Sequence, residues 1–197
     1  MGINLRNYGW DKVEAAEPGN FAKLPAGGYV CKIYDARCDT VKGKGYRLTC
    51  DIDIAEGEHA GFFAKRNSTE RGWDFNAKFK RYVVGADRLI TPSFKGFVNL
   101  LEKENPNFHF DVDNFEPQKL RDLVIGFTFG EREYLDKKNN VRLSTTIRYP
   151  ESVEKIRSGD FTIPPVEKLS DDQKTPEVSA DEFAGTPVKS DDIPFDI

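Results

Sequence analysis

Tyr46-Arg47-Leu48-Thr49-Cys50-Asp51-Ile52-Asp53-Ile54 alternates two kinds of side chain without a break. Successive side chains of an extended chain point to opposite faces. The run therefore predicts a strand with Tyr46, Leu48, Cys50, Ile52 and Ile54 buried and Arg47, Thr49, Asp51 and Asp53 wet. Upstream, the turn Pro25-Ala26-Gly27-Gly28 opens a first strand over Gly28 to Asp35. Asp39-Thr40-Val41-Lys42-Gly43-Lys44-Gly45 then reads as a flexible, basic connection. Downstream, Glu56-Gly57-Glu58 is a turn, and Phe62 to Lys65 is expected as a third strand.

The middle of the chain changes period. Thr91-Pro92-Ser93 supplies a capping residue and a first-turn proline. Phe94, Phe97, Val98 and Leu101 then recur at helical spacing until Asn105-Pro106 ends the pattern. A shorter helix is predicted over Pro117 to Asp122. Leu123, Ile125, Phe127 and Phe129 restore the strand period, with the strand running to Tyr134. Asp136-Lys137-Lys138-Asn139-Asn140 reverses the chain, and Val141, Leu143, Thr145, Ile147 and Tyr149 form the return strand. One helical turn follows over Ser152 to Arg157. Three strands, a helical insertion and a closing hairpin predict a mainly β domain over residues 1–163. Its expected form is an OB-fold-like, five-stranded, partly open barrel. A β-sandwich is the competing architecture, and the helix before the last hairpin favours the OB form.

From Pro164 onward large apolar groups are sparse, and the segment 164–197 is expected to be a disordered acidic tail. The chain of 197 residues carries a net charge of −4, and this hides an asymmetry. Up to Pro165 there are 26 Lys and Arg against 24 Asp and Glu; from Val166 on there are 3 against 9. An acidic tail on a nearly neutral body points to a partner, or to competition with nucleic acid for a basic groove. Its tip, Asp191-Asp192-Ile193-Pro194-Phe195, offers charge and two apolar anchors, and is read as partner-binding.

The segment from Phe62 to Arg88 interleaves aromatic and basic residues. Lys65, Arg66, Trp73, Phe75, Lys78, Lys80, Arg81 and Tyr82 are its candidate nucleic-acid contacts. Bases stack on aromatic faces for ~1–3 kcal/mol each. Cations neutralise phosphates and release counterions. A core strand or helix with a solvated cationic face is the structural alternative, and Phe62 and Phe79 fit it best. Lys42, Lys44 and Arg47 would extend the groove, and Lys137, Lys138 and Arg142 would wall it, with both loops on one rim.

Chemistry finds little support. Asp51, Asp53, Glu56 and Glu58 raise a metal-dependent nuclease, but a solvated strand face and turn explain them better. Neither a phosphate loop nor a nucleophile elbow is present, so no catalytic residue and no cofactor is expected. Cys31, Cys38 and Cys50, with His59 and His109, lack metal-ligand spacing, and the thiols read as free in a reducing compartment. No apolar run approaches the ~20 residues of a membrane span, and no signal peptide precedes the domain, so the expected location is the cytoplasm of a bacterial host.

Tyr8-Gly9-Trp10-Asp11-Lys12-Val13-Glu14, Gly27-Gly28-Tyr29-Val30-Cys31-Lys32-Ile33 and Asp53-Ile54-Ala55-Glu56-Gly57-Glu58 carry a resemblance. So do Phe94-Lys95-Gly96-Phe97, Gly130-Glu131-Arg132-Glu133-Tyr134 and Ser152-Val153-Glu154-Lys155-Ile156-Arg157. Together they resemble a family of small proteins encoded by bacteriophages and mobile elements of Gram-positive bacteria. The resemblance implies single-stranded DNA binding among replication and recombination functions, and names no site residues. The tip is similar to the acidic tip of bacterial single-stranded DNA-binding proteins, which recruits replication and repair enzymes. There the phenylalanine comes last. Here Asp196 and Ile197 follow, so recognition would need Ile197 and its carboxylate to take that part.

The expectation is thus a non-enzymatic, sequence-tolerant binder of single-stranded DNA. It would recruit replication or recombination proteins through its tip, and a dimer or larger assembly would be needed for tight binding. An adaptor or inhibitor that binds a protein without nucleic acid is the alternative from another class.

Overall fold

The computed structural model describes residues 4–8, 11, 23–66 and 73–170. Five strands form one antiparallel sheet: β1 (Gly27–Val41), β2 (Gly45–Ile54), β3 (Lys78–Val84), β4 (Val124–Leu135) and β5 (Val141–Glu151). Their order is β3-β2-β1-β4-β5. The first three strands make a meander, and the last hairpin joins it through β1 and β4. That order and a helix between β3 and β4 are compatible with an OB-like sheet. β3 and β5 are the two ends of the order, with no ladder between them; the Thr146 hydroxyl donates to the Asn76 carbonyl where they approach.

β2 sits at the centre of the meander and behaves as its inner face predicts. Leu48, Cys50, Ile52 and Ile54 are buried, while Tyr46 at the hairpin end is exposed. The opposite face departs from expectation, because Thr49, Asp51 and Asp53 are buried as well. Long cationic stems from β1 and β3 cover Thr49 and Asp51, and Asp53 turns into the next helix.

That helix corrects a strand assignment. Phe62–Arg66 is a single helical turn, α1, not a strand. Its start is fixed by Asp53 Oδ1, which accepts from the amides of Ile54 and Phe63 at 2.9 and 3.0 Å. The edge of β2 that this segment would have paired with is taken instead by Lys78–Val84. β1 is also longer than predicted. It runs through Arg37 to Val41, and the connection shrinks to a tight turn in which the Lys44 amide donates to the Val41 carbonyl. Gly43 and Gly45 supply left-handed backbone there, and a side chain at Gly45 would collide with the Val84 carbonyl.

α2 (Pro92–Glu104) agrees closely with its sequence signals. Thr91 caps it by accepting from the Phe94 amide, and Phe94, Phe97, Val98 and Leu101 are its buried stripe. Asn105 ends it and crosses to β4, bonding both the amide and the carbonyl of Val124. The predicted helix at Pro117 is a 3-10 turn, Pro117–Leu120. On β4, Ile125, Phe127 and Phe129 close the core against Phe79 and Phe63. β5 continues past the break expected at Pro150 to Glu151, which is tolerable because it is an edge strand. α3 (Val153–Ser158) follows, capped by Ser152 and ended by left-handed Gly159. Its Ile156 lies over Gly126, where a Cβ would come within 2.7 Å of the isoleucine.

The chain remains attached to the sheet past the boundary expected at Pro164. Glu167 bridges in parallel to β4, donating to the Glu131 carbonyl and accepting from the Glu133 amide. The Glu167 carboxylate pairs with Arg148, and the Leu169 amide donates to Glu133 Oε2. β4 runs beyond the start of β1, so its edge is open there for this strand. Residues 171–197, including Asp191, Asp192, Ile193, Pro194 and Phe195 and the expected disorder of the tail, lie outside the described residues. No helix among the described residues is long and apolar enough to cross a membrane.

Candidate nucleic-acid interface

The register of the meander places nine residues in three rows across β1, β2 and β3. Asp35, Asp51 and Lys78 form one row; Arg37, Thr49 and Lys80 the next; Asp39, Arg47 and Tyr82 the third. Paired residues share a face, and strands lie ~4.8 Å apart, so these side chains are neighbours on the outer surface of the sheet. Behind them lie Leu48, Cys50 and Phe79, which belong to the core.

Four cations crowd this face. Arg37 reaches Asp51 at 3.0 Å, and Asp35 is taken by Arg121 at 3.4 Å. Among the described residues, Arg47, Lys78 and Lys80 form no ion pair. The Lys80 ammonium is held below the ordinary lysine pKa, first by loss of surrounding water and then by repulsion from Arg47, Lys78 and Arg37. Like charges gathered on one strand face oppose folding, and an arriving anion would relieve them.

An aromatic ring stands at the edge of this charge. Phe75 lies in a 3-10 turn (Phe75–Ala77) opened by Asp74, whose carboxylate accepts from the Asn76 amide. The turn leads directly into β3 and leaves Phe75 58% exposed. Lys80 Nζ lies 4.7 Å and Arg132 Cζ 5.6 Å from the ring centroid. A flat aromatic face between two cations offers stacking to a base and charge to its phosphates at one point.

Trp73 takes a different place from the one expected. Its indole N–H donates to the Ile52 carbonyl at 3.1 Å, and its ring packs on the core and stacks on Tyr34 at 4.3 Å. Tyr34, 48% exposed, is the accessible member of the pair. It is the extra residue of a bulge between Ile33 and Asp35, which turns its ring out of the alternating pattern.

The remaining candidates fall away from the cluster or are engaged. Arg66 pairs with Asp74 at 3.6 Å and lies over Phe62, while Lys65 donates to the Ala60 carbonyl. Arg81 points to the other side of β3 from Lys80, over Phe79. Lys42 and Lys44 are exposed at the β1–β2 tip, and Lys137 and Lys138 at the β4–β5 tip. Arg142 is held by Asp136 at 3.2 Å. β1 and β4 are antiparallel, so the two tips leave that ladder in opposite directions rather than forming one rim. Lys42, Lys44, Lys137 and Lys138 therefore flank the face instead of walling it.

Arg37, Arg132 and Tyr34 join the site without having been read from the sequence. For Arg37 the signal was present in Asp35-Ala36-Arg37-Cys38-Asp39, which alternates once Tyr34 is skipped. Asp51 and Asp53, the carboxylates considered for metal chemistry, are committed to Arg37 and to the start of α1. No group of three or more His, Cys, Asp or Glu among the described residues is arranged to hold a metal ion. All three cysteines are free; burial raises the thiol pKa of Cys31 and Cys50 well above the ordinary value, and Cys38 is half-buried.

Comparison with known proteins gives no match to any family model and none to a curated protein.

Proposed function

We propose that this protein binds single-stranded nucleic acid, without strong sequence preference, on the outer face of β1, β2 and β3. The observation that carries the reading is the cluster of Arg37, Arg47, Lys78 and Lys80 beside the exposed ring of Phe75. Phosphates would occupy the cationic rows, and bases would stack on Phe75 and on Tyr34. Affinity would come from charge and stacking, which every sequence offers alike. The natural substrate in this reading is single-stranded DNA during phage or mobile-element replication and recombination. The tip from Asp191 to Phe195 would recruit a protein partner. The role is binding rather than catalysis, in the bacterial cytoplasm.

Fluorescence anisotropy with oligo-dT, the matching RNA oligomer and a duplex of equal length, each at two salt concentrations, tests this. Tighter binding of single strands, weakening with salt, is expected. Absent binding at low salt, or equal binding of duplex, would overturn it. The adaptor reading has one observation in its favour, an apolar groove beside the exposed Ile90 and Val112.

A further inference from the structure

We propose that the projecting arm of β4 and β5 is a second limb of the single-strand site, with Tyr134 as its stacking platform. The inference rests on the nucleic-acid reading of the β1–β3 face and lengthens the path of the bound strand. Pairing of β1 with β4 ends at Gly27 and Phe129. β4 and β5 continue together for six more pairs, from Gly130–Thr146 to Leu135–Val141. At ~3.4 Å per residue, the arm extends about 17 Å past the start of β1.

The arm sorts its residues by face. Gly130, Arg132 and Tyr134 of β4 share one face with Thr146, Ser144 and Arg142 of β5. Glu131, Glu133 and Leu135 share the other with Thr145, Leu143 and Val141. Both glutamates thus leave the first face, which keeps two arginines and a tyrosine that is 40% exposed. The carboxylates at its borders are taken, Asp136 by Arg142 at 3.2 Å and Glu167 by Arg148. Arg132, and Lys137 and Lys138 at the tip, form no ion pair among the described residues. Unpaired cations beside an exposed ring suit phosphates and a stacked base.

This face is continuous with Phe75. The Thr146 hydroxyl donates to the Asn76 carbonyl, and Arg132 Cζ lies 5.6 Å from the Phe75 ring centroid. Tyr134 follows Arg132 by two residues, ~7 Å along the same face of β4. A strand leaving Phe75 would pass Arg132, stack on Tyr134 and meet Lys137 and Lys138. The arm is also ordered in advance. A lone hairpin is marginally stable, but here Glu167 pairs with the free edge of β4 at Glu131 and Glu133. At the tip, Asp136 accepts from the Lys138 and Asn140 amides. A surface already ordered loses little entropy on association.

Anisotropy titrations of the full chain with a series of dT oligomers, from about 4 to about 20 nucleotides, test the assignment, since one OB fold covers ~4–16. Tyr134→Ala should weaken binding of the long oligomers about tenfold and leave the shortest that binds unchanged. Tyr134→Phe, which keeps the ring, should bind as the parent does. Replacing both Lys137 and Lys138 by Ala should lower the salt slope by about 1.4, again for the long oligomers alone. The variants should melt with the parent, which separates lost contacts from lost folding. A wild-type chain that binds no single strand would overturn the nucleic-acid reading and the arm with it. Wild-type binding that Tyr134→Ala leaves untouched at every length would overturn the arm alone. So would an equal loss at every length, because the ring would then belong to the primary site.

Discussion

Lys80 holds its ammonium 4.7 Å above the ring of Phe75, on the same strand face as Arg47 and Lys78. The contact joins a stacking surface to a charge that its neighbours repel. Phe75→Ala is expected to weaken oligo-dT binding about tenfold, the scale of one lost stacking contact. Lys80→Ala should weaken it uniformly across sequences and lower the slope of log K against log salt by about 0.7. Anisotropy titrations at several salt concentrations measure both. An unchanged salt slope would remove Lys80 from the phosphate path. Neither substitution should shift the melting temperature greatly, since both side chains are exposed.

Trp73 and Tyr34 should separate by the same measurements. Trp73→Ala removes a ring packed on the core and leaves the Ile52 carbonyl without its indole partner, at a cost of about 2–3 kcal/mol in stability. Tyr34→Ala should leave stability nearly intact and weaken binding. The reverse pattern would make Trp73 the stacking residue.

Asp53 has a structural prediction. Its Oδ1 serves two backbone amides in a buried place, so Asp53→Ala should destabilise by about 2–4 kcal/mol. Asp53→Asn keeps a carbonyl oxygen there and should lose much less. Urea unfolding with an unchanged m-value measures the difference. Equal losses would show that charge, rather than hydrogen bonding, holds α1 to β2.

The β4–β5 turn should respond to acid. The Asp136 carboxylate accepts from the Asn140 amide, then from the Lys138 amide and Arg142, which lowers its pKa from 3.8 to about 2. A folded-state value below the unfolded one gives support that is complete above the ordinary carboxylate range and disappears as pH falls through about 2. The Asn140 amide resonance should titrate with that midpoint, and Asp136→Ala should abolish the transition. A midpoint near 4 would mean that these bonds do not select the ionised form.

Local rules carried much of the fold. The Asp136–Asn140 turn, the Thr91 cap, the spacing of Phe94, Phe97, Val98 and Leu101, and the inner face of β2 all depend on neighbours within a few residues. Each was legible for that reason. The Phe62–Arg66 segment was not, because a short apolar run fits strand and helix alike, and Asp53 decides between them from β2.

The site divides in the same way. The sequence by itself determined that aromatic and basic residues gather between Phe62 and Arg88, and that Arg47, Lys78 and Lys80 alternate with core positions. Only the tertiary structure decided which of them meet. Register across three strands brings Arg37 beside Thr49 and Lys80, and the bulge at Tyr34 shifts β1 so that this register exists. The same pairing buries Thr49 and Asp51 under longer side chains, and the β1–β4 ladder sends the basic hairpin tips apart. Strand pairing couples residues distant along the chain, and no period within one strand records its partner's register.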